Sequence, residues 1–293
     1  LYQNHPDADR VGISTVGRIL DRHGLVIPRE EPVLHPTVGR FERPAPNELW
    51  QMDIKMAIRL SDGNRQHVVG ILDDHSRYVL GLWWLPDITD RSVLDCWIDA
   101  ARRYGLPQQT LTDHGAQFCM GDSTTSAFRV YLWACGVQHT QGRIGYPQTQ
   151  GKIERFWGTF QRELTPQLRR SEPFSWPELA ERWLEQYNTL RPHESLGDLP
   201  PVSRYHKSRL VFEEPDIHAR IGKTDSLYRR VSANGRISLG GRRVMVGRGL
   251  AQWIVEVRPL GNGCWHVYFR NHFLREFILN KSLKGVTYVP EQV

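Results

Sequence analysis

The sequence predicts an α/β protein: a mixed sheet with helices on its faces, followed by a small all-β module. Three observations lead there. Residues 49–164 alternate short apolar runs with 3.6-periodic segments in the order β-β-β-α-β-α-β-loop-α. The last of these segments carries one continuous apolar stripe, Ile153, Phe156, Trp157, Phe160 and Leu164, behind a loop punctuated by Gly142, Gly145, Pro147 and Gly151. Beyond residue 226 the pattern changes to short strands joined by turns such as Asn234-Gly235.

Taken in order, residues 14–24 read as a helix with Ser14 as N-cap, Val16, Ile19 and Leu20 as the apolar face and Gly24 as the stop. Thr15, Arg18, Asp21 and Arg22 lie on its other side. Residues 28–46 hold five prolines and read as an extended linker. Residues 49–58 form a central strand with Asp53 in the middle. Runs 67–72 and 78–85 flank the turn DDHSR, an antiparallel hairpin. A helix over 92–104, a strand over 109–112, a helix around 126–135 and a strand over 137–140 lead to the opening loop and its helix. A further helix starts at Ser175, with Pro177 and Glu178 as capping signals and Leu179, Trp183, Tyr187 and Leu190 as its stripe. Residues 201–225 are a basic connector. Residues 226–280 hold five or so short antiparallel strands, the pattern of a small closed barrel, and residues 281–293 form a tail.

The chain has 293 residues and a net charge of +6, unevenly spread. Residues 1–48 carry 6 basic and 7 acidic side chains, 49–199 carry 16 and 18, and 200–293 carry 16 and 7. A basic, aromatic-bearing end on a neutral core suggests a polyanion-binding module. No run of 18 apolar residues is present, so no membrane span is expected. No signal peptide is visible, and Leu1 reads as internal to a longer chain. Cys96, Cys119, Cys135 and Cys264 lack CxxC spacing, which argues against a zinc ribbon or a disulfide framework and for a reducing cytoplasm. Neither GxxxxGK[ST] nor GxGxxG occurs.

Three carboxylates occupy comparable niches: Asp53 mid-strand, Asp113 at the exit of the fourth strand, and Glu154 in the first turn of the long helix. Singly, each has an ordinary explanation. Asp53 pairs with Lys55 or Arg77, Asp113 caps a turn, and Glu154 complements the helix dipole. Jointly, strand ends and a crossing helix bring such groups together, and hard oxygen donors suit Mg²⁺ or Mn²⁺, two ions of which serve phosphodiester chemistry. Asp73 and Asp74 are turn formers on this reading rather than an acid/base pair. His114 and His139 are placed to line the site.

The motifs WQMDIK (50–55), DDHSRYVLG (73–81), LTDHGAQF (111–118), YPQTQGKIERFWGTFQREL (146–164) and YNTLRPHESLG (187–197) occur in an order that resembles the integrase-core (DDE) transposases of bacterial insertion sequences, relatives of retroviral integrases. The resemblance covers about residues 12–280. It implies an RNase H-like mixed five-stranded sheet as the catalytic core over 47–200, with Asp53, Asp113 and Glu154 as catalytic and metal-binding triad for two Mg²⁺ (or Mn²⁺) ions. It also implies that 1–27 is the end of a helix-turn-helix and that 226–280 is an SH3-like β-barrel. The implied partners are double-stranded DNA, as terminal inverted repeats and target, and further copies of the chain as a dimer or tetramer on paired ends; the implied location is the bacterial cytoplasm, in association with the nucleoid. Two departures stand out. The spacing from Asp113 to Glu154 exceeds the family's usual one, which places an insertion at 119–125. Gly158 and Gln161 stand where relatives carry basic residues, so Arg162 is the nearest substitute. The remaining DNA-binding candidates are Arg143, Gln148, Gln150, Lys152 and Arg155 at the core, Arg18 and Arg22 in the first helix, and Arg229, Arg230, Arg242 and Arg243 in the barrel. The rivals are an RNase H-fold nuclease that never joins DNA and a domesticated DNA-binding protein.

Overall fold

The computed structural model describes residues 13–23, 25, 42–115, 117–118, 126–142, 150–172, 175–222, 226–279 and 286–288. The expected insertion at 119–125, most of the 28–46 linker, Arg143 and Gln148 lie outside the described residues. The chain divides into two units, 1–42 and 43–293.

In the first unit, α1 (Ile13–Arg22) forms where the sequence predicts it. Its apolar face is not covered as expected: Ile19 and Leu20 are 45% and 41% exposed. Arg18 and Arg22 are exposed, and the Arg18 guanidinium reaches Thr15 Oγ1 at 3.4 Å.

In the second unit, β-branched and aromatic residues build a five-stranded sheet in the order β3-β2-β1-β4-β5. Its strands are β1 (Leu49–Arg59), β2 (Arg65–Asp73), β3 (Val79–Leu85), β4 (Gln109–Thr112) and β5 (Gln138–Gln141). The first three pair antiparallel, whereas β4 and β5 run parallel to β1 because helical crossovers connect them. This is the mixed sheet that the sequence predicts. Side-chain alternation then divides two cores. Trp50, Met52, Val69 and Ile71 face α2 (Asp90–Tyr104) and α3 (Ala127–Ala134). Val68, Leu72 and Val79 face α4 (Gly151–Glu163), α5 (Thr165–Arg170) and α6 (Trp176–Thr189). The predicted stripe on α4 supplies Ile153, Phe156, Trp157 and Phe160 to that second core. On α6 the stripe ends one position early, with Leu190 47% exposed, and Ser175 Oγ donates back to Glu172 O instead of capping the helix.

The DDHSR turn is more than a turn. Asp73 and Asp74 are fully buried. Asp73 accepts from the Asn47 amide (2.7 Å), the Ser76 amide (2.8 Å) and the Ser76 hydroxyl (2.6 Å). Asp74 accepts from the Arg43 amide and Gln51 Nε2, both at 2.8 Å, and pairs with Lys152 Nζ at 2.5 Å. Lys152, expected at the DNA, is 16% exposed and committed to this ion pair, which ties the start of α4 to the β2–β3 turn.

The connector after α6 is pinned to the core rather than loose. Tyr205 stacks on Tyr78 at 4.2 Å, the Ser208 amide donates to Tyr104 O, and the Leu106 amide donates to Leu210 O. Gly105, at φ 81°, permits that approach, since a Cβ there would stand 2.7 Å from Leu210 O.

Beyond it come β6 (Leu227–Arg230), β7 (Arg236–Leu239), β8 (Arg242–Met245), β9 (Ile254–Gly261), β10 (Cys264–Phe269), β11 (His272–Leu279) and β12 (Val286–Tyr288). They hydrogen-bond as an antiparallel sheet β12-β11-β10-β9-β6 and a separate β7-β8 hairpin. Both enclose one apolar core of Ile237, Val244, Val255, Val267, Phe269 and Phe277. The barrel expected from the strand pattern is thus made of two hydrogen-bonded sets, and it reaches past residue 280 into β12. Val130 and Ala134 of α3 belong to the same core, and Trp133 stacks on His272 at 4.2 Å.

Candidate active site

β1 and β4 place the first two acids. Gln51 pairs with Leu111 in the parallel ladder, and Asp53 and Asp113 each stand two residues further on. They therefore stand at equivalent depth on neighbouring strands, Asp53 in mid-β1 and Asp113 just past the carboxyl end of β4, where crevices open in such sheets. Asp113 is among the charges that disfavour ionisation of Asp53, behind burial. Burial dominates, and it pushes the Asp53 carboxyl above its ordinary value of 3.8. The Ile54 amide, the Trp157 indole and, least, Lys55 act the other way.

Strand alternation sets Gln51 and Asp53 on the face that meets α4. Gln51 Oε1 accepts the Ile153 amide at 3.2 Å, which fixes the first turn of α4, and with it Glu154, above β1. The backbone of Glu154 is helical and its side chain is exposed. One turn on, the indole N–H of Trp157 faces the Asp53 carboxylate, close enough to favour its charge without the alignment of a hydrogen bond. That ring fits because Gly70 is the cross-strand partner of Asp53: a Cβ there would stand 2.8 Å from Trp157 Cζ2. Gln51 did not stand out in the sequence, and Trp157 did so only as part of the apolar stripe. The available signal was a lone amide two residues before Asp53 in an apolar strand.

Asp113 serves its own turn, as its ordinary explanation requires: Oδ1 accepts the Gly115 amide at 2.9 Å. Behind it runs a hydrogen-bonded chain. Arg129 Nε donates to His139 Nδ1 (3.2 Å), His139 Nε2 donates to Thr112 Oγ1 (2.9 Å), and Thr112 Oγ1 donates to Asp113 O (3.0 Å). Burial, with Arg129 adding to it, pushes the His139 imidazole down to about 3, so it stays neutral and supports the strand end rather than lining the site. His114 is exposed.

Among the described residues, no choice of one carboxylate oxygen from each of the three acids brings all three within 4.8 Å of one another. A buried carboxylate facing a second one, with Lys55 as its weakest compensation, has the chemistry that a divalent cation satisfies. The donor set therefore fits Mg²⁺ or Mn²⁺.

Comparison with known proteins follows the same outline. Residues 43–147 and 135–201 match two models of the integrase core domain, together spanning 43–201. The chain belongs to the integrase-core family. It is 25% identical over 200 residues to an uncharacterized protein of insertion element IS476 of Xanthomonas euvesicatoria, covering 67% of this chain and 56% of that protein. It is 29% identical over 165 residues to the transposase of insertion element IS904 of Lactococcus lactis, covering 55% of this chain and 62% of that one. The chain thus spans less than two thirds of these relatives. In the solved simian T-cell lymphotropic virus intasome with a PP2A regulatory subunit, one chain superposes with a TM-score of 0.51 at 16% identity, covering 84% of each chain. The integrase-core fold is therefore shared well beyond the sheet.

One expected result concerns Asp53. A carboxyl held above its ordinary value in the fold contributes stability while protonated and loses it as pH rises from that value through the folded one. At neutral pH its charge is a cost. Asp53→Asn should therefore raise the melting temperature of the metal-free protein at pH 7 and flatten its decline between mildly acidic and neutral pH. Mg²⁺ should raise the melting temperature of wild type and leave Asp53→Asn unmoved. Calorimetry across pH, with and without Mg²⁺, checks both.

Proposed function

We propose that this integrase-core protein is an insertion-sequence transposase that binds terminal inverted repeats, cleaves their 3′ ends and transfers them to target DNA. The observation that carries the reading is the matched placement of Asp53 and Asp113 on adjacent parallel strands, under the helix start that bears Glu154. These three residues would hold two Mg²⁺ (or Mn²⁺) ions. When bound, the ions supply Lewis acidity at a scissile phosphate and activation of a water or 3′-hydroxyl. The protein's own part is to fix the donors. Gln51 locks the start of α4, Lys152 and Asp74 anchor it laterally, and the Arg129–His139–Thr112 chain holds the end of β4. The core would act as a dimer or tetramer on paired ends in the bacterial cytoplasm, at the nucleoid.

Arg155 and Arg162 are exposed on α4, and Gln150 is half-buried just before it. With Lys152 occupied elsewhere, Arg155 and Arg162 become the α4 residues best placed to reach DNA, beside Arg143 and Gln148. Arg230 and Arg243 are exposed on β6 and β8, Arg242 is half-buried, and Arg229 is turned onto Ser238 O and Tyr228 O. Reversing Arg242 and Arg243 to Glu should weaken binding to inverted-repeat DNA and make the slope of log affinity against log salt shallower by about 2 units. An unchanged slope in a salt titration removes this hairpin from the DNA interface. A strand-transfer assay with labelled ends distinguishes the rivals: a nuclease yields cleaved ends only, and a binding protein yields no metal-dependent product.

A further inference from the structure

On the outer face of the C-terminal module, strand pairing assembles a group that linear spacing does not announce. His266 and Glu276 are directly opposite in the β10–β11 ladder, and Cys264 precedes His266 by two residues, on the same face. Their neighbours Val267 and Phe277 point the other way, into the core. One ligand atom from each of Cys264, His266 and Glu276 lies within 4.8 Å of the others, the only such group among the described residues. Glu276 Oε2 stands 2.7 Å from His266 Nε2. The side chains of His266 and Glu276 are 23% and 29% exposed, so an ion from solvent can reach them.

We propose that Cys264, His266 and Glu276 form a zinc site with three protein ligands and one open position. Thiolate, imidazole and carboxylate are the donor types that zinc takes, and the thiolate disfavours magnesium. Tetrahedral zinc holds a nitrogen and an oxygen donor about 3.3 Å apart, so the pair at 2.7 Å opens by about 0.6 Å as the ion enters. Binding takes Cys264 as the thiolate, its proton passing to solvent, and thiolate and carboxylate then balance the dication. The other ring nitrogen is already engaged: His266 Nδ1 is 3.2 Å from the Tyr268 hydroxyl, the orienting contact that metal-bound histidines characteristically make. Arg258, the cross-strand partner of His266, is bound through Nε and Nη2 to Glu256, each at 2.8 Å. The ion would clamp β10 to β11 and so stiffen the module that docks on α3.

The test uses the full chain, metal-stripped, and Co²⁺ as a spectroscopic probe, followed by Zn²⁺ competition. One equivalent should produce a thiolate-to-cobalt charge-transfer band, which carboxylates at the integrase-core triad do not give. Cys264→Ser should abolish the band, Glu276→Gln should weaken Zn²⁺ binding at least tenfold with the band retained, and Tyr268→Phe should weaken it by about tenfold. No band in wild type, or a band that survives Cys264→Ser, overturns the site. Glu276→Gln keeps the shape of the side chain, so unchanged Zn²⁺ affinity in that variant overturns it even if Cys264→Ser fails to fold. No DNA or Mg²⁺ enters the measurement, so its failure leaves the transposase reading standing.

Discussion

Glu154→Gln is expected to bind inverted-repeat DNA as wild type does and to lose both cleavage and joining by about three orders of magnitude or more, on the order of 4 kcal/mol of transition-state stabilisation. Glu154 is exposed in the first turn of α4, while the packing that holds this turn comes from Ile153 and its amide bond to Gln51. The substitution therefore leaves the helix seated, and thermal melts should coincide with wild type. What disappears is one ionic oxygen donor of the proposed two-ion set, and a neutral amide does not replace it. A labelled-end assay reads cleavage and joining, and a filter-binding titration reads affinity. Joining at near wild-type rate would remove Glu154 from the chemistry and leave the two aspartates without their third partner.

Asp73→Ala should destabilise the fold by about 3–5 kcal/mol, since each buried donor left unsatisfied costs roughly 1–3 kcal/mol. Three such donors lose their acceptor: the amides of Asn47 and Ser76 and the Ser76 hydroxyl. Asn47 also bonds Trp50 Nε1, Tyr205 and His206 O, so the loss spreads to the entry of β1 and to the pinned connector. For a unit of this size the melting temperature should fall by about 10 °C. Asp73→Asn, which keeps one acceptor oxygen, should fall by less. Equal loss in the two variants would show that the cost is charge rather than hydrogen bonding.

Much of this was legible in the residues. The alternation in 49–85 and the stripe on 153–164 report on local geometry, and local geometry decides helix or strand. The acids were visible because a carboxylate inside an apolar strand, as at Asp53, demands a reason. Leu190 was misread because periodicity does not say where a partner surface ends, and Ile19 and Leu20 were misread because an apolar stripe does not supply its own cover. The ion pair of Lys152 was not legible, because a lysine beside a Gly-rich loop and a lysine over a buried aspartate look alike in a sequence.

By itself, then, the sequence determined the order and type of the elements and the identity of the three candidate acids, which local pattern and a single residue's setting reveal. Tertiary structure alone decided what depends on long-range pairing. Asp73 and Asp74 became buried anchors because Asn47, Gln51 and Lys152 arrive from elsewhere in the chain. Gly70 made room for Trp157 over Asp53. Cys264, His266 and Glu276 became neighbours only when β10 met β11, since ladder register, not spacing along the chain, sets which side chains share a face.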